Sequence, residues 1–260
     1  MLKSWSFSSL STYETCPYRT KLRVIDKIPE PERPLPEGKT EHANDRGTRI
    51  HDGCERFVRG EGELPAEAAV HFKPYLMSLA EHYKAGKIQM EEEWGFNRDW
   101  EPCDYKGAWL KVKLDVFYRP EKTHAVILDY KTGRKDNNEI KHGKQMGLYA
   151  IAAACRYPEL QEIDTELLYL DQKPAEPGKK YSNHTFVSKP VDKWLYPIKL
   201  WTVKADKMLR DTQFKPTPNA FSCQYCPYKE GICQYAYTDK KAISAIHQRR
   251  AISRKGAKSI

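Results

Sequence analysis

Two short apolar stretches, Trp109 to Tyr118 and Ala125 to Lys131, restrict this chain more than any other feature, because each alternates with period two and each carries one aspartate. Between them lies Arg119-Pro120-Glu121-Lys122, a turn-forming run, so the pair predicts an antiparallel β-hairpin. If the hairpin is symmetric about Lys122, Asp115 lies directly across from Asp129. Alternation then groups Val112, Leu114, Val116 and Tyr118 with Val126, Leu128 and Tyr130 on a core face. The opposite face carries Lys113, Asp115, Phe117, Ile127, Asp129 and Lys131. Two carboxylates facing each other across a ladder repel, and a cation held between them offsets that cost.

Oxygen ligands beside an ammonium suit a hard divalent ion, Mg²⁺ or Mn²⁺, which keeps waters and binds phosphate oxygens. Lys131, two residues after Asp129, projects from the same face. There it can orient the attacking water and offset phosphate charge, which points to phosphodiester hydrolysis. The plain alternative is an exposed hairpin face with ordinary surface charges. Two further spacings point toward the same chemistry. Gly47, His51 and Glu55 are four apart and form one stripe of a helix, in which His51 can supply a nitrogen ligand and Gly47 admits a neighbouring backbone. Gln145 and Tyr149, again four apart, share a face of the helix that follows the second strand, where an amide can bond a phosphate or base and a phenol can stack. Each stripe could equally be plain helix surface.

The remaining pattern predicts an α/β (α+β) chain, a small mixed sheet flanked by helices. Ser6 caps a first helix that Cys16-Pro17 interrupts, ahead of a further segment from Arg19 to Ile28. Pro29, Pro31, Pro34 and Pro36 then mark an extended connector. Helices are expected over 41–59, 66–84, 139–156 and 191–210, and further strands over 91–96, 165–170 and 181–187. No internal repeat is present.

With 40% hydrophobic residues and a mean hydropathy of −0.77, the chain reads as globular, without an apolar run long enough to span a membrane. The opening residues show no secretory pattern, so a cytoplasmic protein is expected. Of the net charge of +9, seven units come from basic side chains between Lys240 and Ile260, a stretch with no acidic residue. We therefore divide the chain into residues 1–238 and a basic tail, 239–260. Such a tail attracts a polyanion by counterion release, or merely solvates. Seven cysteines without an export signal argue against a disulfide framework. Cys54, Cys103 and Cys155 stand alone, whereas Cys223, Cys226 and Cys233 fall within eleven residues. Zinc, an iron-sulfur cluster and no metal at all are each compatible with that spacing.

Taken in order, Gly47-x3-His51-x3-Glu55, Leu114-Asp115, Leu128-Asp129-Tyr130-Lys131-Thr132-Gly133 and Gln145-x3-Tyr149 resemble the RecB-like branch of the PD-(D/E)XK nuclease superfamily. Ser6-Phe7-Ser8-Ser9-Leu10-x2-Tyr13-x2-Cys16-Pro17 and Cys223-x2-Cys226-Pro227-x5-Cys233 look like that branch too, as in CRISPR-associated exonucleases and AddB-type helicase-nucleases. The resemblance implies a restriction-endonuclease-like core in which His51, Asp115, Asp129 and the main-chain carbonyl of Tyr130 hold Mg²⁺ or Mn²⁺. It makes Lys131 the catalytic lysine and gives Gln145 and Tyr149 the task of positioning DNA. It makes Cys16, Cys223, Cys226 and Cys233 the ligands of a 4Fe-4S cluster, with zinc as the alternative. Relatives often carry a glycine three residues before the strand aspartate; here Val112 stands there. The implied activity is exonucleolytic hydrolysis of single-stranded DNA or DNA ends, in recombination, repair or CRISPR or phage DNA processing, with a partner protein from such a pathway and no membrane. Lys141, Lys144 and the tail would assist DNA contact. The competing readings are a DNA-binding or scaffold module that keeps the fold without cutting, and an endonuclease of the same superfamily.

Overall fold

The structure is a computed structural model and describes residues 2–238 apart from 33, 36, 134, 136, 137, 171 and 174–182. The basic stretch 240–260 therefore lies outside the described residues. The chain divides into two compact units, one of residues 35–202 and one of residues 1–34 with 203–260.

The larger unit is built on a six-stranded sheet. Its strands are β1 (Ile88–Phe96), β2 (Pro102–Cys103), β3 (Leu110–Glu121), β4 (His124–Lys131), β5 (Glu162–Tyr169) and β6 (His184–Pro190), in the spatial order β2-β1-β3-β4-β5-β6. Four of the five pairings are antiparallel, and β4 pairs with β5 in parallel. A parallel neighbour demands a long crossover, and α5 (Glu139–Arg156) provides it, over the bounds its periodicity predicts. Ahead of the sheet come α3 (Ala43–Arg59) and α4 (Ala66–Lys84). Ile50, Cys54 and Val58 of α3 and Phe72, Leu76 and Leu79 of α4 bury their apolar stripes against Ile88, Met90, Val116, Leu128, Tyr130 and Leu168 of the sheet.

The predicted hairpin is present and its register follows the symmetry about Lys122: Val116 pairs with Leu128, Phe117 with Ile127 and Tyr118 with Val126. The turn is tighter than predicted, because β3 runs on through Pro120 to Glu121, with an irregularity between Tyr118 and Glu121. The face expected to be polar is buried as well, since Phe117 and Ile127 are at most 1% exposed. Phe117 stacks on Tyr157 just past α5, with ring centroids 5.2 Å apart, so the crossover covers that part of the face. The helix expected over 191–210 is two, α6 (Val191–Leu195) and α7 (Ile198–Arg210), because Pro197 lacks the N–H a continuous helix needs there. The last strand starts at His184; Tyr181 and Ser182, which the sequence reading included, lie outside the described residues.

The smaller unit joins α1 (Phe7–Thr15), α2 (Pro17–Thr20) and the π-helical turn Lys21–Ile25 to the end of α7 and to α8 (Ala220–Cys223). Ser6 caps α1 in a reciprocal box with Ser9, as the sequence predicts. The two chain ends are sewn together by long-range polar contacts. Tyr13 Oη donates to Asp211 Oδ2 at 2.7 Å, and Tyr228 Oη to the Ile28 carbonyl at 2.9 Å. Among the described residues no helix is long and apolar enough to cross a membrane.

Candidate active site

The β3–β4 ladder stops at Val116 and Leu128. The next residues along are Asp115 and Asp129. Instead of a main-chain partner, Tyr130 N–H donates to Asp115 Oδ2 at 2.8 Å, so a carboxylate occupies the fork where the two strands part. From α3, His51 Nδ1 lies 3.2 Å from the same oxygen. Gly47, one turn earlier, lets α3 come close: a Cβ there would meet Thr132 Oγ1 at 3.0 Å. From β4, the Lys131 ammonium touches Asp129 Oδ2 and donates to Gln145 Oε1 at 3.0 Å. Gln145 Nε2 in turn donates to Tyr149 Oη at 2.7 Å and approaches Asp129 Oδ1 at 3.4 Å. Thus His51, Asp115, Tyr130, Asp129, Lys131, Gln145 and Tyr149, singled out from four separate stretches of sequence, form one connected set. Lys141 and Lys144 are exposed on the first half of α5.

Electrostatics divides the two aspartates. Burial pushes Asp129 up to about 6, and the neighbouring Asp115 charge adds to this against the pull of Lys131. Burial also acts on Asp115, but the His51 contact, with help from Tyr130 N–H and Lys131, outweighs it and holds that carboxyl below its ordinary range. His51 is correspondingly raised: burial opposes its charge, and Asp115 overcomes it. Asp115 is therefore the anion already compensated by protein, and Asp129 is the one still short of positive charge.

One acidic residue escaped the sequence reading. Met90 pairs with Val116 and Glu92 with Leu114, so Glu91 stands level with Asp115, at the one level where the β1–β3 ladder is interrupted. Its backbone has φ 54°, in the left-handed region. Glu91 Oε2 lies 2.6 Å from Lys113 Nζ. The alternation of β1 changes across this residue. Met90 belongs to the α3–α4 side, whereas Trp94 packs edge-on against Phe117 at 4.8 Å on the α5 side. No local motif marks Glu91; only the register of β1 on β3 brings it level with Asp115.

The PD-(D/E)XK nuclease superfamily matches residues 4–234. The chain belongs to that superfamily. Among solved structures, this nuclease is similar to the crystal structure of SSO0001, at 15% identity and a TM-score of 0.47 over 92% of this chain and 89% of that one. It is also similar to a phage-related exonuclease from Haemophilus somnus 129PT, at 12% identity and a TM-score of 0.30 over 80% of this chain and 93% of that one. No curated protein matches it.

Nucleases of this superfamily usually use Mg²⁺ or Mn²⁺. The donor set here suits such an ion: the buried Asp129 carboxylate, the partly buried Asp115 carboxylate and an imidazole, with Asp129 Oδ2 shielded from solvent and lacking a well-directed hydrogen bond although it touches Lys131. Among the described residues, no three His, Cys, Asp or Glu side chains already form a cation cage. At the fork the reason is visible, because the carboxylates spend their oxygens on His51, Tyr130 N–H, Lys131 and Gln145.

In the smaller unit Cys16, Cys223, Cys226 and Cys233 all line one cavity of about 20 Å³, together with Leu22, Pro216 and Pro218. All four are free thiols, and burial raises Cys226 and Cys233 above the ordinary thiol range. Cys54, buried in the α3–α4 core, and Cys155 are raised in the same way, to about 12 and about 11, as core thiols are.

Proposed function

We propose that this protein is a Mg²⁺- or Mn²⁺-dependent exonuclease acting on single-stranded DNA or DNA ends. The observation that carries the reading is the contact of Lys131 with Asp129 and Gln145 beside the Asp115–His51 pair, which joins metal donors, an ammonium and an amide at one strand fork. His51, Asp115, Asp129 and the Tyr130 carbonyl would hold the ion. When bound, it would lower the pKa of a water and polarise a phosphate oxygen. Lys131 would orient the attacking water, freed from Asp129 once the ion takes over that carboxylate's charge. Gln145 would keep Lys131 aimed, and Tyr149, whose phenol is held protonated by burial, would fix the Gln145 amide. Lys141, Lys144 and the 240–260 stretch would engage phosphates along the strand. We take residues 1–238 as one nuclease domain, in keeping with a family match that spans both units.

For the four cysteines we infer a thiolate-bound metal group, assigned as a 4Fe-4S cluster, that ties the two ends of the chain. Convergence on one cavity of residues as distant as Cys16 and Cys233 supports this reading. Iron and acid-labile sulfide in anaerobically purified protein are the expected result; zinc in their place would overturn the assignment.

Incubation with Mn²⁺ and paired linear and covalently closed circular DNA tests the activity. Linear DNA is consumed, the circle survives, and Asp129→Ala abolishes degradation. Cutting of the circle would make the protein an endonuclease, and binding without any cleavage would make it a scaffold module.

A further inference from the structure

The hairpin carries its charges in mirror order, Lys113-x-Asp115 on β3 and Asp129-x-Lys131 on β4. The symmetry about Lys122 relates Lys113 to Lys131 as it relates Asp115 to Asp129, although the paired ladder itself ends at Val116 and Leu128. Each lysine holds a carboxylate: Lys131 holds Asp129, and Lys113 holds Glu91 at 2.6 Å. Asp115 therefore lies between two carboxylate–ammonium pairs, one on the β4 side and one on the β1 side. The pairs differ in exposure. The Lys131 side chain is 16% exposed, whereas that of Lys113 is 57% exposed and so open to a ligand. Glu91 is the more buried partner, at 19%, and its left-handed backbone interrupts the ladder where its carboxylate meets Lys113.

An in-line displacement at phosphorus develops charge at two places, the attacking and the leaving oxygen, and two-metal sites cover them with two ions. Resting on the nuclease reading above, we propose that Lys113 is a second catalytic ammonium, covering the leaving oxygen of the scissile phosphodiester, with Glu91 as its positioning residue. Lys131 then serves the attacking side. In the step itself a water oxygen bonds to phosphorus while the bond to the leaving ester oxygen breaks. The water's proton passes to solvent, and the leaving oxygen departs as an alkoxide that takes a proton from water. Lys113 supplies charge and not a proton, with the Glu91 carboxylate held against its ammonium at 2.6 Å. A site with this arrangement needs one divalent ion, because a side chain occupies the role of the second.

The test separates leaving-group chemistry from binding and folding. Oligonucleotides with a single bridging sulfur at either the 3′ or the 5′ position carry a better leaving group, which needs no cation. Lys113→Met is expected to lower kcat on all-oxygen DNA by about 10²-fold or more, yet to cut whichever sulfur-bridged substrate places sulfur on the leaving side at close to the wild-type rate. Lys113→Arg restores much of the all-oxygen rate, and Glu91→Gln gives an intermediate loss with the same sulfur rescue. Mn²⁺ titration by calorimetry gives one ion per chain and an unchanged Kd in Lys113→Met. An equal loss on oxygen and sulfur substrates, a wild-type rate in Lys113→Met, two ions per wild-type chain, or weakened Mn²⁺ binding in the variant would each overturn the proposal. If wild-type protein cuts no DNA, the nuclease reading has failed first, and that is seen before any variant is compared.

Discussion

Asp129 illustrates, within one side chain, how a site can be arranged against stability. Its folded pKa of about 6 lies above the ordinary 3.8 because burial and Asp115 disfavour its charge. Between pH 4 and 6 the folded protein therefore holds a proton that the unfolded chain has released. The stabilisation linked to that proton is complete below pH 4, is lost as pH rises through 6, and is absent at pH 7. A displacement of two units corresponds to about 3 kcal/mol. Asp129→Asn, which removes the ionisable group but leaves Lys131 without its partner, is expected to raise metal-free stability at pH 7 by about 1–3 kcal/mol. Thermal melts should show the gain growing from pH 4 to 6 and flat above. Added Mn²⁺ should stabilise wild type and leave Asp129→Asn unmoved. Gln145 acts one step further out. Gln145→Ala removes the acceptor that aims Lys131, so cleavage should fall about 10–100-fold, an effect of misplacing a reacting group, with Mn²⁺ affinity retained.

At the scale of elements, periodicity was a sufficient guide wherever a helix buries one stripe. α4 and α5 begin and end where the apolar spacing says, and Pro74 within α4 does not break it. Pro197 did divide a predicted helix, a difference that depends on neighbours and not on proline itself. The hairpin was legible because Asp115 and Asp129 are equidistant from the turn. Its second face was not, since burial of Phe117 and Ile127 is decided by a crossover helix that alternation along two strands cannot foresee. Glu91 stayed hidden for a related reason: it acquires meaning only through β1 pairing with β3. Close approach of β1 to the following loop is testable at Gly95. A Cβ there would lie 2.8 Å from the Cys103 carbonyl oxygen, 2.8 Å from Tyr105 Cα and 2.9 Å from Ala108 Cβ. Two of those three neighbours are backbone and cannot rotate away. Gly95→Ala should cost about 1–3 kcal/mol by chemical denaturation, whereas Gly47→Ala, which meets only the hydroxyl of Thr132, should cost far less.

For the whole molecule, the informative contrast is between the two compact units, one carrying the carboxylates and the other the cysteines. The cysteine unit brings together chain ends about two hundred residues apart, and it already does so by Tyr13–Asp211, Tyr228–Ile28 and the Tyr13–Phe214 edge contact at 6.4 Å. A metal group held by Cys16 on one end and Cys223, Cys226 and Cys233 on the other would add a cross-link over that loop, worth about 3–5 kcal/mol on the chain-entropy account of such links. Removing one thiolate should therefore act on folding and not on phosphoryl chemistry. Cys226→Ser is expected to lower the Tm and the iron content together. The Mn²⁺ affinity of the folded fraction should stay at the wild-type value, because His51, Asp115 and Asp129 belong wholly to the other unit. A variant that folds with unchanged Tm but no longer cleaves would instead place the cysteines in the reaction, and the view of them as a fastening between chain ends would have to be given up.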